Sequence, residues 1–187
     1  MKYQSIKKDN LKEYKNPFYV IVNNGCLKKY NITDLKKYIS LGFNNIYYTG
    51  FTPTFIYITD IQVLLNYPFK DIFGCDYSKY IISRSIYKKF KKLFIEHNID
   101  HHRLFFIEDK MNNNSILVDI VIPFLDFLGI NHIHFIGLNY ISLNLFHQNI
   151  IIDDELIKKE ISYLYQEISN KYKHIYFTNN NTLIDFI

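Results

Sequence analysis

Tryptophan is absent from the 187-residue chain, and glycine (6), proline (4), cysteine (2) and methionine (2) are scarce. Each shortage excludes something. No stretch has the three-glycine spacing G-x-G-x-x-G of a dinucleotide-binding fingerprint. The two cysteines, Cys26 and Cys75, cannot build a disulfide framework and do not have metal-ligand spacing. A long apolar run is missing too. The most apolar stretch, Ser115 to Ile130, is broken by Asp119, Pro123 and Asp126 and is too short to span a bilayer. Met1 to Asn10 is polar and lacks an apolar signal core. These absences predict no transmembrane segment and a reducing, cytoplasmic setting.

Hydrophobic residues make up 48% of the chain and charged residues 21%, the composition of a globular protein. The length suits one domain with a sizeable core. Tyrosine (17) and phenylalanine (16) dominate the aromatics, and isoleucine, asparagine and lysine are abundant. That bias resembles coding in an AT-rich genome, so a single Asn or Lys carries weight only through its position. The net charge is +4, with lysines paired at Lys7-Lys8, Lys28-Lys29, Lys88-Lys89 and Lys158-Lys159. Pairs spread in this way read as solvated helix faces, so no nucleic-acid partner is expected. The aromatic excess leaves a homo-oligomeric face open.

Residues 1–16 read as a polar arm, and 17–187 as a single domain. Phe18–Val22 is an apolar run suited to a buried strand, ended by Asn23-Asn24-Gly25. Ile32 to Ile39 reads as a helix with Asn31 or Thr33 as its amino cap. Further strands are expected over 45–49, 54–58, 80–82, 103–107, 132–136 and 174–177. Helices are expected over 61–66, 85–97, 115–128, with Gly129 as carboxyl cap, 153–170 and 182–187. Alternation of this kind predicts βαβ units: an α/β, Rossmann-like, doubly wound and mostly parallel sheet with helices on both faces. Ligands of such sheets bind outside the carboxyl ends of the strands. The candidate loops are therefore 23–26, 59–60, 83–85, 108–115, 137–147 and 178–181.

Several groups in those loops could carry chemistry. Asn23, Asn24 and Gly25 could present backbone N–H groups to a phosphate and amides to a ribose or base edge, an ordinary βα turn being the alternative. Asp60 could hold a divalent metal or a substrate hydroxyl, or simply cap the next helix. Gly137 ends a strand where a ligand can approach the backbone closely, with Asn139 and Tyr140 beside it. His147 lies in the loop before the long helix, and histidine suits acid–base work near neutral pH. Asn180, Asn181 and Thr182 could cap the last helix and touch a ligand. His101-His102 lacks the i, i+4 spacing of a helical metal pair.

Taken in order, these segments resemble two related families. Val20–Leu27 resembles the strand–Asn–Gly–x–x–Leu opening of the bacterial lipooligosaccharide sialyltransferases. Pro53–Asp60 resembles the Pro-Asp-hydrophobic-Asp strand of the 6-hydroxymethylpterin pyrophosphokinase-like (MptE-like) family. Leu125–Asn139 is similar to the helix–Leu-Gly–strand–Gly-Ile-Asp segment of both. His147 to Phe186 is similar to the sialyltransferase carboxyl region, whose Asn-Ser-x-Leu-x-x-Phe-Ile ending stands here as Asn181-Thr182-Leu183-Ile184-Asp185-Phe186-Ile187. The likeness spreads over about three quarters of the chain.

The resemblance implies a nucleotide-dependent transferase. In its glycosyltransferase form, Asn24-Gly25 holds the nucleotide of an activated sugar and Asn114 or Ser115 binds the donor. His147 is the general base, and Tyr140 bonds the leaving phosphate. In its pyrophosphokinase form, Asp60 holds Mg²⁺ between phosphates, and the transfer goes to a small-molecule hydroxyl. Both chemistries require neutralised phosphate charge. The chain departs from the pattern at three points. Cys26 follows Gly25 where the family has Pro-Ser, Asn139 replaces the acid of Gly-Ile-Asp, and no clear Thr-Ser-Gly is present. These departures keep a non-catalytic nucleotide-binding or sensing domain as the competing reading.

Overall fold

β1 (Lys15–Ile21) forms the spine on which the rest is hung. A computed structural model describes residues 15–21, 31–44, 46–59, 61–75, 77–107, 121–130, 132–136, 166 and 174–178. After β1 come α1 (Ile32–Leu35), β2 (Tyr38–Phe43), a 3-10 turn over Ile46–Thr49, and β3 (Phe55–Ile58). They are followed by α2 (Ile61–Asn66), α3 (Phe69–Phe73), β4 (Lys79–Ser83) and α4 (Arg84–Glu96). A short 3-10 turn at His101–Arg103 leads into β5 (Leu104–Ile107), then α5 (Ile122–Leu128), β6 (His132–Ile136) and β7 (His174–Thr178).

The seven strands form one sheet in the order β5-β4-β3-β2-β1-β6-β7, and every neighbouring pair is parallel. Parallel neighbours need crossover connections, and right-handed crossovers place their helices on a face set by the direction of travel. From β1 to β5 the chain moves one way. From β5 to β6 it jumps back past β1, so the crossover helix belongs on the other face.

The packing follows that rule. Leu35 of α1, Val63 and Leu64 of α2, Phe69, Ile72 and Phe73 of α3, and Ile86, Phe90 and Phe94 of α4 share one buried cluster. The cluster also holds Ile21, Ile56, Ile58, Tyr80, Ile82 and Ile136 from the sheet. Phe55 alternates with Ile56 and so belongs to the opposite face. There it meets Phe124 of α5 edge-on, with ring centroids 5.0 Å apart. Both faces are therefore covered, which is why β3 is buried at all four residues and reads as a continuous apolar run. The sheet is the doubly wound α/β sheet expected from the alternation.

Local chemistry explains the element ends. Ser83 caps α4 by accepting from the Ile86 backbone N–H at 3.2 Å. Ile86, Phe90 and Phe94, spaced by four, are the buried stripe of α4, while Lys88, Lys89, Lys91 and Lys92 lie exposed on the other side. Gly129 ends α5 in the left-handed conformation (φ 71°), its N–H donating to the Asp126 carbonyl and that of Ile130 to Leu125. Asn31 is the residue that caps α1, its Oδ1 accepting from the Thr33 N–H at 3.0 Å.

Two sequence expectations are corrected. The helix expected over Ile32–Ile39 is one turn, ending at Leu35, and Ile39 lies inside β2. The strand expected over 45–49 is instead a 3-10 turn, in which the Thr49 hydroxyl donates to the Ile46 carbonyl at 2.7 Å. β2 escaped notice because Ser40 and Gly42 interrupt its apolar pattern, and each has a local cause. Ser40 and Thr54 exchange backbone-to-hydroxyl hydrogen bonds at 3.2 and 3.3 Å, joining the amino ends of β2 and β3. At Gly42, a Cβ would lie 2.3 Å from the Ile46 side chain and 3.1 Å from that of Pro53. The 3-10 turn closes directly onto the strand there, and a larger residue would push it away. The α3 helix was also unread, being only five residues long. Of the 115–128 helix, residues 122–128 are described; the 153–170 and 182–187 helices fall outside the described residues apart from Gln166.

Gly42→Ala is expected to destabilise the fold by about 1–3 kcal/mol through overpacking. Urea unfolding should show a lower midpoint with an unchanged slope.

Candidate functional site

All strands being parallel, their carboxyl ends lie on one edge of the sheet. The register aligns Gly42, Ile21, Ile136 and Thr178 across β2, β1, β6 and β7. It also aligns Ile58 with Ile82, and Ser83 with Ile107, across β3, β4 and β5.

Toward β5, the described polar groups of that edge serve the fold. Asn44, directly after β2, adopts a left-handed backbone (φ 51°), which asparagine tolerates better than most residues. Its N–H donates to the Tyr57 carbonyl at 2.9 Å. Its Oδ1 accepts from the Thr59 backbone N–H at 2.9 Å and lies 3.1 Å from the Thr59 hydroxyl. Its Nδ2 donates to that hydroxyl at 2.9 Å. Asn44 thus clamps the ends of β2 and β3 together. One connection further on, Ser83 is occupied as the cap of α4 and lies 2.9 Å, hydroxyl to hydroxyl, from Ser85. Arg84 stands over the Phe106 ring at 5.6 Å. The 59–60 and 83–85 loops, named above as ligand loops, contribute side chains to structure at Thr59 and Ser83. Asn44 was missed; the strand-ending Phe43-Asn44-Asn45 carried the signal, hidden because β2 itself went unread.

The strand order reverses between β1 and β6. Consecutive crossovers leave on opposite faces at such a point, opening a crevice above the two carboxyl ends, and ligands of open α/β sheets settle there. The sequence candidates lie outside the described residues: Asn23, Asn24, Gly25, Asp60, Asn114, Ser115, Gly137, Asn139, Tyr140, His147, Asn180, Asn181 and Thr182. Their places in the chain are nonetheless fixed relative to the described strand ends. Asn23 is the second residue past β1, and Gly137 the first past β6. Asn139, Tyr140 and His147 continue the β6 connection, and Asn180 is the second residue past β7. Asp60 follows β3 in the chain, and β3 is two strands from β1 and three from β6, or about 10 and 14 Å at the usual strand spacing. Asn114 and Ser115 lie between β5 and α5, in the crossover that returns to the switch point.

The opposite edge has a different character. Arg103 donates through Nε to the Ser78 carbonyl at 3.0 Å and through Nη2 to the carbonyls of Phe73 and Cys75. It also lies over the Tyr80 ring at 5.2 Å. Tyr80 is fully buried, and burial raises its pKa above the ordinary tyrosine value. A hollow of about 660 Å³ opens beside this knot, lined by residues including Lys70, Glu96, His97 and Asp100. It sits at the carboxyl ends of α3 and α4, away from the ligand edge.

Compared with known protein families, curated proteins and solved structures, the chain matches none. Among the described residues, no helix is long and apolar enough to cross a membrane.

Asn44→Ala should lower stability by about 2 kcal/mol, losing the clamp and placing alanine in a left-handed backbone. Asn44→Gly, which relieves the backbone term alone, should recover about 1 kcal/mol of that loss in the same denaturation assay.

Proposed function

We propose that this chain is a nucleotide-dependent transferase that uses a nucleotide-activated sugar, with the nucleotide seated above the carboxyl ends of β1 and β6. One observation carries the reading. The strand order reverses between the two strands whose ends lead into Asn23-Asn24-Gly25 and Gly137-Leu138-Asn139-Tyr140. These are the two segments that carry the resemblance to the sialyltransferase family at its nucleotide end.

In this reading the backbone N–H groups of Asn24 and Gly25 face the donor phosphate, and Asn139 takes the ribose or base. Asn114, Ser115 and the Asn180–Thr182 turn complete the donor side. His147 removes the proton of the acceptor hydroxyl as that oxygen attacks the anomeric carbon. The bond from sugar to phosphate oxygen breaks, and Tyr140 donates to the departing phosphate.

The strand order favours sugar transfer over Mg²⁺-dependent pyrophosphoryl transfer. β3, the strand that precedes Asp60 in the chain, is two strands, or about 10 Å, from the nearer switch-point strand, which counts against Asp60 as the holder of a metal between phosphates there. The departures at Cys26 and Asn139 make a non-catalytic nucleotide sensor the result to exclude.

Thermal-shift measurements with nucleoside mono-, di- and triphosphates and nucleotide sugars, with and without Mg²⁺, test the reading. A cytidine nucleotide or nucleotide sugar at about 100 times its Kd should add about 2.7 kcal/mol without metal. A shift only with a triphosphate plus Mg²⁺ would favour the pyrophosphokinase reading, and no shift with any of them would remove the nucleotide site. His147→Ala should leave that shift intact and lower turnover by roughly 10²-fold or more. A shift without turnover in the unaltered chain would identify a sensor.

A further inference from the structure

Helix α4 has two unlike sides. Ile86, Phe90 and Phe94 turn into the core. At about 100° per residue, Arg84, Lys88, Lys91 and Lys92 fall within about 100° of one another on the outer side. All four are exposed, as is Lys89 on their flank. Five bases against the single acid Glu96 leave this 13-residue helix at +4, as much as the whole 187-residue chain carries. In the chain, Lys88-Lys89 is one lysine pair among several. The helix gathers it with Arg84, Lys91 and Lys92 on one surface.

A merely solvated face does not require this arrangement, since exposed helices commonly alternate the sign of their charges. Arg84–Lys88 and Lys88–Lys92 are like-charge pairs at i, i+4, which weaken a helix, and Lys88–Lys91 and Lys89–Lys92 repeat the repulsion at i, i+3. Arg84 stands in the first turn, where the helix dipole disfavours a cation and no acid offsets it. Among the described residues only Lys92 of the five has an acid beside it, Glu96 at 3.7 Å, and both side chains are exposed. Arg84, Lys88, Lys89 and Lys91 have no carboxylate partner among the described residues.

The spacing of the cations matches one kind of polyanion. From Arg84 to Lys92 is about 12 Å of helix axis. Four cations over that length stand one per about 3–4 Å, and a nucleic-acid strand carries one phosphate per about 3.4 Å. The surface lacks the side chains that read bases best: residues 84–96 contain no Asn or Gln, and lysine meets phosphate as a point charge. It also lacks an apolar side to enter a lipid surface. That side of α4 is buried in the core, and Ile95 is the one large apolar residue of the helix that is exposed.

We propose that the outer face of α4 is a sequence-independent docking surface for the phosphate backbone of a nucleic acid, contacted by Arg84, Lys88, Lys91 and Lys92. This replaces the sequence expectation of no nucleic-acid partner, which took each lysine pair alone. α4 follows β4, three strands from β1, so the surface is separate from the strand-order reversal and independent of the nucleotide reading.

Fluorescence anisotropy of a labelled mixed-sequence DNA duplex, titrated with the full-length chain between about 50 and 200 mM salt, tests the proposal. Four contacts give a slope of about −3.6 for the logarithm of the binding constant against that of salt, a loss of roughly 10²-fold across the range. Lys88→Gln, Lys91→Gln and Lys92→Gln should each make the slope shallower by about 0.9, and should weaken binding equally on a second, unrelated duplex. Lys36→Gln, at an exposed lysine just after α1, should leave the slope unchanged. Circular dichroism verifies that the variants, all at exposed positions, are folded. Three results overturn the surface: no saturable binding at about 50 mM salt; a slope that the α4 variants leave unchanged or that Lys36→Gln lowers as much; or binding to vesicles of phosphatidylcholine and phosphatidylserine with none to the duplex.

Discussion

The fold depends on β1 being hydrogen-bonded on both sides, to β2 on one and to β6 on the other. With parallel pairing and right-handed crossovers, that arrangement forces the chain to build outward to β5, cross back, and resume beyond β1. The crossing puts α5 against Phe55 on the face opposite α1–α4. Two covered faces make the strands apolar on both sides, and the reversal between β1 and β6 is the kind of point on the carboxyl edge where ligands of open α/β sheets settle. The core, the helix layers and the candidate crevice therefore have one origin.

The remaining polar chemistry divides along the same axis. At the amino edge, Arg103 holds the carbonyls of Phe73, Cys75 and Ser78, Ser78 donates to the Pro53 carbonyl at 2.7 Å, and Ser40 and Thr54 bond reciprocally. These contacts satisfy backbone groups in the turns feeding β2 to β5. At the carboxyl edge, the Asn44–Thr59 clamp and the Ser83 cap do the same over β2 to β4. Among the described residues, Asn44, Thr59 and Ser83 in the half of the sheet away from the switch point are committed to structure. A ligand site is better sought where the strand order reverses, with a scaffold already rigid beside it.

Much of this was legible in the chain. Strands β3, β4, β5, β6 and β7 announced themselves as short apolar runs, and β3 is buried at all four residues because both of its faces are covered. Helix α4 was marked by its amphipathic pattern, though its Ser83 cap was read as part of a ligand loop, and the end of α5 was marked by Gly129. β2 was not legible, because its pattern is broken by a serine satisfied from β3 and by a glycine whose space is taken by Ile46, both tertiary facts. The strand expected over 45–49 stood in for β2, so the count of seven matched the sheet with one strand misplaced, and the clamp residue Asn44 went unseen. The candidate loops were found by placing motifs at strand ends, but the order of strands cannot be read from such motifs. Only the sheet order distinguishes Asn23–Gly25 and Gly137–Tyr140, at the reversal, from Asp60, two strands away.

Hydrogen exchange of backbone amides with and without a saturating cytidine nucleotide tests the central claim, that the ligand sits where the strand order reverses. The account predicts new protection confined to the segments that follow β1 and β6, with little change after β3 and β4 or at the Arg103 edge. Protection centred on the β3–β4 ends or on the hollow beside Arg103, or none at all, would contradict it.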